Sequence, residues 1–274
     1  MNAKQLAIGV FDSGMGGLTV LKALHARLPQ ESFIYLGDTA RLPYGTKSPD
    51  TVKQYASQMA RILVEREIKA LVIACNTATT AALPHLQDML PDIPVIGVVA
   101  PGASAAVAAT KNQRLFVLAT ETTIASNAYQ QLIKQQLPDA VINSQACSVL
   151  VALAEEGMID NTVASEALKY YLQGMTDEDA VLLGCTHFPV FKELLAHLLP
   201  ANVRIVDSAQ ATAEALYMAL SEQRLLNDDL NKPININYLV TDSVKRFQKV
   251  GEIFLGKPLR GQDIELVDAM SSKK

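Results

Sequence analysis

At 274 residues the chain has room for one large domain or two ordinary ones, each big enough to bury a core. With 49% hydrophobic and 19% charged residues and a net charge of -4, it reads as a soluble globular protein with no basic footprint for nucleic acid. The opening MNAKQLAIGVFDSG carries one lysine and only a short apolar run, so neither a signal peptide nor a membrane span is expected there, and the expected location is the cytoplasm.

Taken in order, Leu6 to Phe11 is an apolar run ending at Asp12, followed by SGMGG and then by Leu18, Leu21, Leu24 and Leu28 at helical spacing. The glycines would let backbone amides approach an anion, but their spacing is not a dinucleotide fingerprint and no P-loop lysine follows. Phe33 to Leu36 reads as the next strand, and GDTARLPYG after it as a polar loop with a turn at Pro43, Tyr44 and Gly45. Ser48 and Pro49 open a helix whose inner face is Val52, Tyr55, Ala56, Met59, Ile62 and Leu63. A strand from Leu71 to Ala74, a loop at Cys75 and an amphipathic helix follow, then a strand from Val95 to Val99 that ends before Pro101-Gly102.

The alternation then repeats. Leu115 to Ala119 reads as a strand, about Ile124 to Leu137 as a helix, Ala140 to Ile142 as a strand, and Ser148 to Glu156 as a helix stopped by Gly157. A helix near Ala164 to Gln173, a strand from Val181 to Gly184, a helix from Pro189 to Leu199 and a strand from Val203 to Val206 complete the second half. The tail has a helix near Ala209 to Ser221, a polar stretch from Asn227 to Lys232, and a strand, a helix and a strand up to Val267. Strands alternating with helices predict an α/β protein with mainly parallel sheets.

The halves echo each other. Cys185 lies 110 positions after Cys75, and each cysteine ends a short buried strand and precedes polar residues that open a helix, Asn76-Thr77 in one case and Thr186-His187 in the other. The expected fold is therefore two pseudo-symmetric α/β domains with the active site in the cleft between them. Residues 1–98 with 208–274 would form the Cys75 side, the tail returning to the first domain, and residues 99–207 the Cys185 side.

In open parallel sheets ligands sit beyond the carboxyl ends of the strands, where this reading places Asp12, Tyr44, Cys75, Thr120, Cys185 and Asp207. A cysteine at a strand end is as readily a small buried residue as a reactive one, but two at equivalent positions shift the balance to chemistry. A helix N-terminus lowers a neighbouring thiol's pKa and holds carboxylates, and Asp12 and His187 are at hand to carry protons. Asp12 as a helix cap, His187 as a structural histidine, and Glu155 and Glu156 as solvated helix residues are the plainer alternatives. Cys147, with no polar pair after it, is expected in a core outside the cleft; three cysteines without a CxxC pair argue against disulfides and structural zinc.

The blocks FDSGMGGLTV, DTARLPYGTKS, ACNTAT, ACSVLVALAEEG and LGCTHFP, in that order between about Ile8 and Val206, resemble glutamate racemase, of the cofactor-independent aspartate/glutamate racemase superfamily. The resemblance implies interconversion of L- and D-glutamate by two thiols, supplying D-glutamate for peptidoglycan and thus for cell shape, with no cofactor, no metal, no nucleic acid and no membrane. Cys75 would be the base towards D-glutamate, assisted by Asp12, and Cys185 the base towards L-glutamate, assisted by His187. Asp12, Ser13, Pro43, Tyr44, Gly45, Asn76, Thr77, Thr186 and His187 would hold the substrate, with Thr120 and Thr123 as a weaker binding segment. Glu155 matches an assisting glutamate near the second cysteine, although ACSVLVALAEEG departs from the family's ACPLFVPLVEEG and leaves Glu155 against Glu156 open. A homodimer is compatible with this reading. The alternatives are an aspartate racemase, or a non-catalytic amino-acid-binding protein on the same fold, which would need neither thiol.

Overall fold

In chain order the elements are β1 (Ala7–Asp12), α1 (Leu18–Arg27), β2 (Phe33–Gly37), α2 (Pro49–Val64), β3 (Ile68–Ile73), α3 (Asn76–Met89), β4 (Val95–Gly97) and α4 (Val99–Ala109). Then come β5 (Arg114–Ala119), α5 (Glu121–Ala125), α6 (Ala128–Gln136), β6 (Val141–Ala146), α7 (Val149–Glu155), α8 (Thr162–Leu172), β7 (Ala180–Gly184) and α9 (Lys192–Leu198). β8 (Arg204–Asp207), α10 (Ala209–Glu222), β9 (Ile236–Val240), α11 (Val244–Leu255) and β10 (Ile264–Leu266) complete the chain. The structure, a computed structural model, describes residues 3–229 and 233–269, so part of the polar stretch read at Asn227 to Lys232 lies outside the described residues, as do residues 270–274.

Two all-parallel sheets result. The first has the order β10-β9-β2-β1-β3-β4 and the second β6-β5-β7-β8. Advancing every strand number of β2-β1-β3-β4 by four gives β6-β5-β7-β8, which is the echo of the two sequence halves in spatial form. The central strands β1, β3, β5 and β7 are buried almost throughout, as strands covered by helices on both faces must be. The tail strand β9 pairs with β2 from Phe33↔Ile236 to Gly37↔Val240, and β10 adds beyond it.

Local chemistry accounts for the helix starts. Ser48 accepts the Thr51 N–H at 3.3 Å and Pro49 occupies the first turn of α2, whose buried face is Val52, Ala56, Met59, Ala60 and Leu63. Cys75 itself caps α3, its Sγ accepting the Ala78 N–H at 3.4 Å. The sequence reading differs from the structure in two places. It extends β4 to Val99 and treats Pro101-Gly102 as the end of an element, whereas α4 starts at Val99 and takes both residues in its first turn. Proline is tolerated there because first-turn N–H groups have no intrahelical acceptor. The helix read as continuous from Ile124 to Leu137 is broken at Asn127, whose φ of 54° is left-handed, so that α5 ends at Ala125 and α6 starts anew at Ala128.

At the amino ends of the first sheet, away from the strand ends that carry the candidate site, Lys69 and Glu31 form a buried ion pair at 2.5 Å. The Lys69 ammonium also donates to the Lys4 and Leu225 carbonyls at 2.6 and 2.9 Å, and Glu31 accepts the Asn227 N–H at 2.8 Å.

Candidate active site

Both cysteines arrive at one place because each follows a central strand: Cys75 comes two residues after β3 and Cys185 directly after β7. They border the same cavity, between the carboxyl ends of the two sheets. Ser13, Pro43, Tyr44, Gly45, Asn76, Thr77, Thr120, Glu155, Thr186 and His187 border it too, together with two apolar side chains that sequence reasoning passed over, Leu42 and Val151. The cavity holds about 20 Å³, room for roughly one water. The glutamate that the resemblance implies is many times larger, so the walls would have to part to admit it.

Three further expected residues stand just behind the wall or away from it. Asp12 is buried at the end of β1, accepting the Gly14 N–H at 3.0 Å and the Thr186 hydroxyl at 3.3 Å. Thr123 completes a hydroxyl triangle, with Thr77–Thr120, Thr77–Thr123 and Thr120–Thr123 oxygens 2.9, 3.2 and 3.1 Å apart. Asp207 stays outside: it pairs with Lys192 and caps the start of α10 through the Ala209 N–H. Cys147 is fully buried, its Sγ donating to the Ala119 carbonyl at 3.4 Å, and it does not border the cavity.

The halves meet with little spare room. A Cβ on Gly16 would lie 2.4 Å from His187 Nδ1 and 2.6 Å from Thr186 Oγ1, and one on Gly45 would lie 2.5 Å from Thr120 Cβ. Gly16 of SGMGG and Gly45 thus serve close packing of one half on the other, whereas a Cβ on Gly17 would meet Asp12 and Ala74 of its own half. Thr122 of α5 reaches across to donate its proton, its hydroxyl lying 2.9 and 3.0 Å from the Gly45 and Lys47 carbonyls.

Around Cys185 a chain of side chains leads outward. The sulfur is 3.9 Å from His187 Nδ1, and His187 Nε2 is 3.0 Å from Glu155 Oε1. Glu156 is instead 63% exposed and pairs with Arg246 of α11 at 3.0 Å. The loop before Tyr44 is held by Asp38, a buried carboxylate unread in the sequence, which takes the Tyr44 hydroxyl, Arg41 Nε at 2.7 Å and the Thr241 hydroxyl at 2.9 Å. Its only sequence signal was its place in GDTARLPYG, because all its partners but Arg41 and Tyr44 are distant in the chain.

Burial sets the electrostatics. It pushes the Cys75 thiol up to about 12, helped by the Asp12 charge, while the Ala78 and Ser13 N–H groups and the Ser13 hydroxyl pull it down. Cys185 is likewise raised well above the ordinary thiol range by burial, with the His187 N–H opposing. The helix-start effect expected from sequence is therefore present at Cys75 but smaller than desolvation, and in the closed cavity both thiols are protonated at neutral pH. Among the described residues no group of three or more His, Cys, Asp or Glu side chains is placed to hold a metal ion.

Asp12 is also raised by burial, against the His187 charge, the Gly17 and Gly14 N–H groups and the Thr186 hydroxyl. A carboxyl raised on folding supports the fold most below its unfolded pKa of about 3.9 and loses that support as pH rises through the folded pKa. Its charge is thus a burden at neutral pH. Asp12→Asn should unfold at a higher temperature than the parent protein at pH 7, the gain shrinking towards pH 4. Calorimetric scans at the two pH values check this, and a lower midpoint at pH 7 would refute it.

Three comparisons bear on the chain as a whole. Residues 15–216 match the family model described as Asp/Glu/Hydantoin racemase. The glutamate racemase of Geobacter metallireducens is 47% identical over 92% of this chain and 94% of its own, and that of Neisseria meningitidis serogroup A is 42% identical over 96% and 97%. A crystal structure of glutamate racemase from Francisella tularensis in complex with D-glutamate superposes with a TM-score of 0.90, at 38% identity over 98% of this chain and 100% of that one.

Proposed function

Since the chain belongs to the Asp/Glu/hydantoin racemase family, we propose that its cavity residues carry out a two-thiol inversion at the α-carbon of glutamate. The protein is an isomerase, an amino-acid racemase that interconverts L- and D-glutamate. The observation that carries the proposed mechanism is that Cys75 and Cys185, at equivalent strand ends of two matching sheets, border one cavity.

Inversion needs a base on one face of the α-carbon and an acid on the other in the same turnover. In this reading Cys75 is the base towards D-glutamate and Cys185 the base towards L-glutamate. A thiolate takes the α-proton, the carbon flattens, and the opposite S–H delivers a proton to the other face. The thiol that acts as base must first lose its own proton. Asp12 serves that end at Cys75 as the acceptor of the proton, its negative charge by itself holding the thiol protonated, and His187, backed by Glu155, serves Cys185. Ser13, Tyr44 with Pro43 and Gly45, Asn76, Thr77, Thr120, Thr123 and Thr186 surround the substrate, whose methylenes face Leu42 and Val151.

The same reading treats residues 1–98 with 208–274 as one α/β unit and residues 99–207 as the other. The support is that β1 to β4 share a sheet with β9 and β10, and β5 to β8 form the second. Supply of D-glutamate to peptidoglycan, a cytoplasmic location and a homodimeric assembly belong to this proposal. Among the described residues no helix is long and apolar enough to cross a membrane. Purified protein incubated with L-glutamate or with L-aspartate should drive the circular dichroism of glutamate to zero and leave that of aspartate in place. Stoichiometric binding with no loss of optical activity would overturn the racemase reading.

A further inference from the structure

Asn76 is the first residue of α3, next to Cys75, and borders the cavity. It is 3% exposed, and its Nδ2 has no acceptor among the described residues. A buried amide N–H left unpaired is unfavourable enough that its persistence points to a partner brought from outside. A half-turn of the side chain exchanges the amide oxygen and nitrogen, so something must hold Asn76 with the nitrogen free.

Tyr129, from the other half, is placed to do so. Its hydroxyl donates to Asn76 Oδ1 at 2.5 Å, the one hydrogen bond that this hydroxyl makes among the described residues. Turning the amide over would set N–H against O–H and strand the phenolic proton in a buried position. Burial also raises the phenol far above the ordinary tyrosine range, so it stays a donor. The ring is 1% exposed and hemmed in: a Cβ on Gly184 would lie 2.9 Å from its Cε2, and one on Gly102 would lie 3.1 Å from its oxygen. The left-handed break at Asn127 restarts the helix two residues earlier, and the first turn of α6 delivers Tyr129 to this spot.

We propose that Tyr129 is a positioning residue for the reaction: its hydroxyl fixes the amide of Asn76 so that Nδ2 is presented to a carboxylate of the substrate. An NH₂ group only donates, so it suits a carboxylate, which only accepts, and has nothing to offer the substrate ammonium. The proposal rests on the cavity being the glutamate site.

Tyr129→Phe keeps the ring and removes the hydroxyl. The KM for both enantiomers should rise about tenfold or more while kcat changes by less than about threefold, the pattern of lost binding shared by ground and transition states. Because L- and D-glutamate are equally stable, kcat/KM must fall by one common factor in both directions. Asn76→Ala should raise KM similarly, and the double variant should be no worse than Asn76→Ala alone, since the phenol acts only through the amide. An unchanged KM in folded Tyr129→Phe, or losses that multiply in the double variant, overturns the proposal. If Tyr129→Phe fails to fold by circular dichroism, Asn76→Asp decides: it keeps an acceptor for Tyr129 but sets an oxygen where Nδ2 was. A KM raised by about tenfold or more then supports the proposal, and an unchanged KM overturns it. Failure of the glutamate reading is distinct, for it would appear as an inactive parent protein.

Discussion

Cys75→Ala and Cys185→Ala should each lower kcat for racemisation of glutamate by about 100- to 10,000-fold, equivalent to roughly 3–5 kcal/mol of barrier. Each removes one proton carrier and leaves a cavity of nearly the same shape, and each deletes a thiol that burial keeps protonated in the closed form, so no buried charge is stranded. Cys147→Ala is the control: its sulfur donates to the Ala119 carbonyl and does not border the cavity, so the rate should hold while the fold loses a little packing. Serine is the finer probe, because it donates a proton but is a poor base. Elimination from a suitable halogenated substrate analogue should survive in opposite stereochemical senses in Cys75→Ser and Cys185→Ser. Loss of the same sense in both would refute the assignment of one thiol to each enantiomer.

Glu31→Ala should destabilise the fold by about 3–5 kcal/mol, the usual loss when one member of a buried ion pair is removed and its partner stays charged. Lys69 and Glu31 are 1% and 3% exposed at their side chains, and Nζ is ringed by the Glu31 carboxylate and two backbone carbonyls. With Glu31 gone the ammonium keeps its two neutral carbonyl acceptors and loses the carboxylate 2.5 Å away. Exchanging both members for apolar residues, Glu31→Leu with Lys69→Met, should recover most of the loss. Urea titration followed by circular dichroism measures both. A loss under about 1 kcal/mol for Glu31→Ala, the level of an exposed pair, would refute the account. The turnover number of the folded fraction should not move, because the pair sits at the amino ends of strands whose carboxyl ends hold the cavity.

What was legible in the sequence was what repeats or punctuates. The buried runs ending at Asp12, Ala74, Ala119 and Gly184 marked the central strands, and polar pairs after the two cysteines marked the cavity. α4 was missed because its alanine-rich VAPGASAAVAA carries no contrast between faces and opens with two residues that usually end elements. The break at Asn127 was hidden because apolar spacing continues across it. Asp38 and Tyr129 were illegible for another reason. Each matters through groups far along the chain, Thr241 beside β9 of the same sheet for one and Asn76 across the two halves for the other, and such pairings exist only once the chain is folded. Glu155 and Glu156 are chemically identical in sequence, and only the turn of α7 sends the first inward to His187 and leaves the second at the surface, with Arg246 near both.

The shared strand order of the two sheets bears on handedness itself. Mirror-image substrates call for a catalyst that treats left and right alike, yet a chain of L-residues can never contain a mirror plane. In the proposed mechanism, repetition of β2-β1-β3-β4 as β6-β5-β7-β8 supplies a rotation in its place, bringing like strand ends to opposite sides of one carbon. Rotation is an imperfect substitute, and the imperfection is written in the side chains, with an aspartate charge acting on one thiol and a histidine–glutamate pair standing beside the other. Equal stability of the enantiomers confines what that inequality can do. It can divide kcat and KM differently between the two directions, but it can never tilt their ratio.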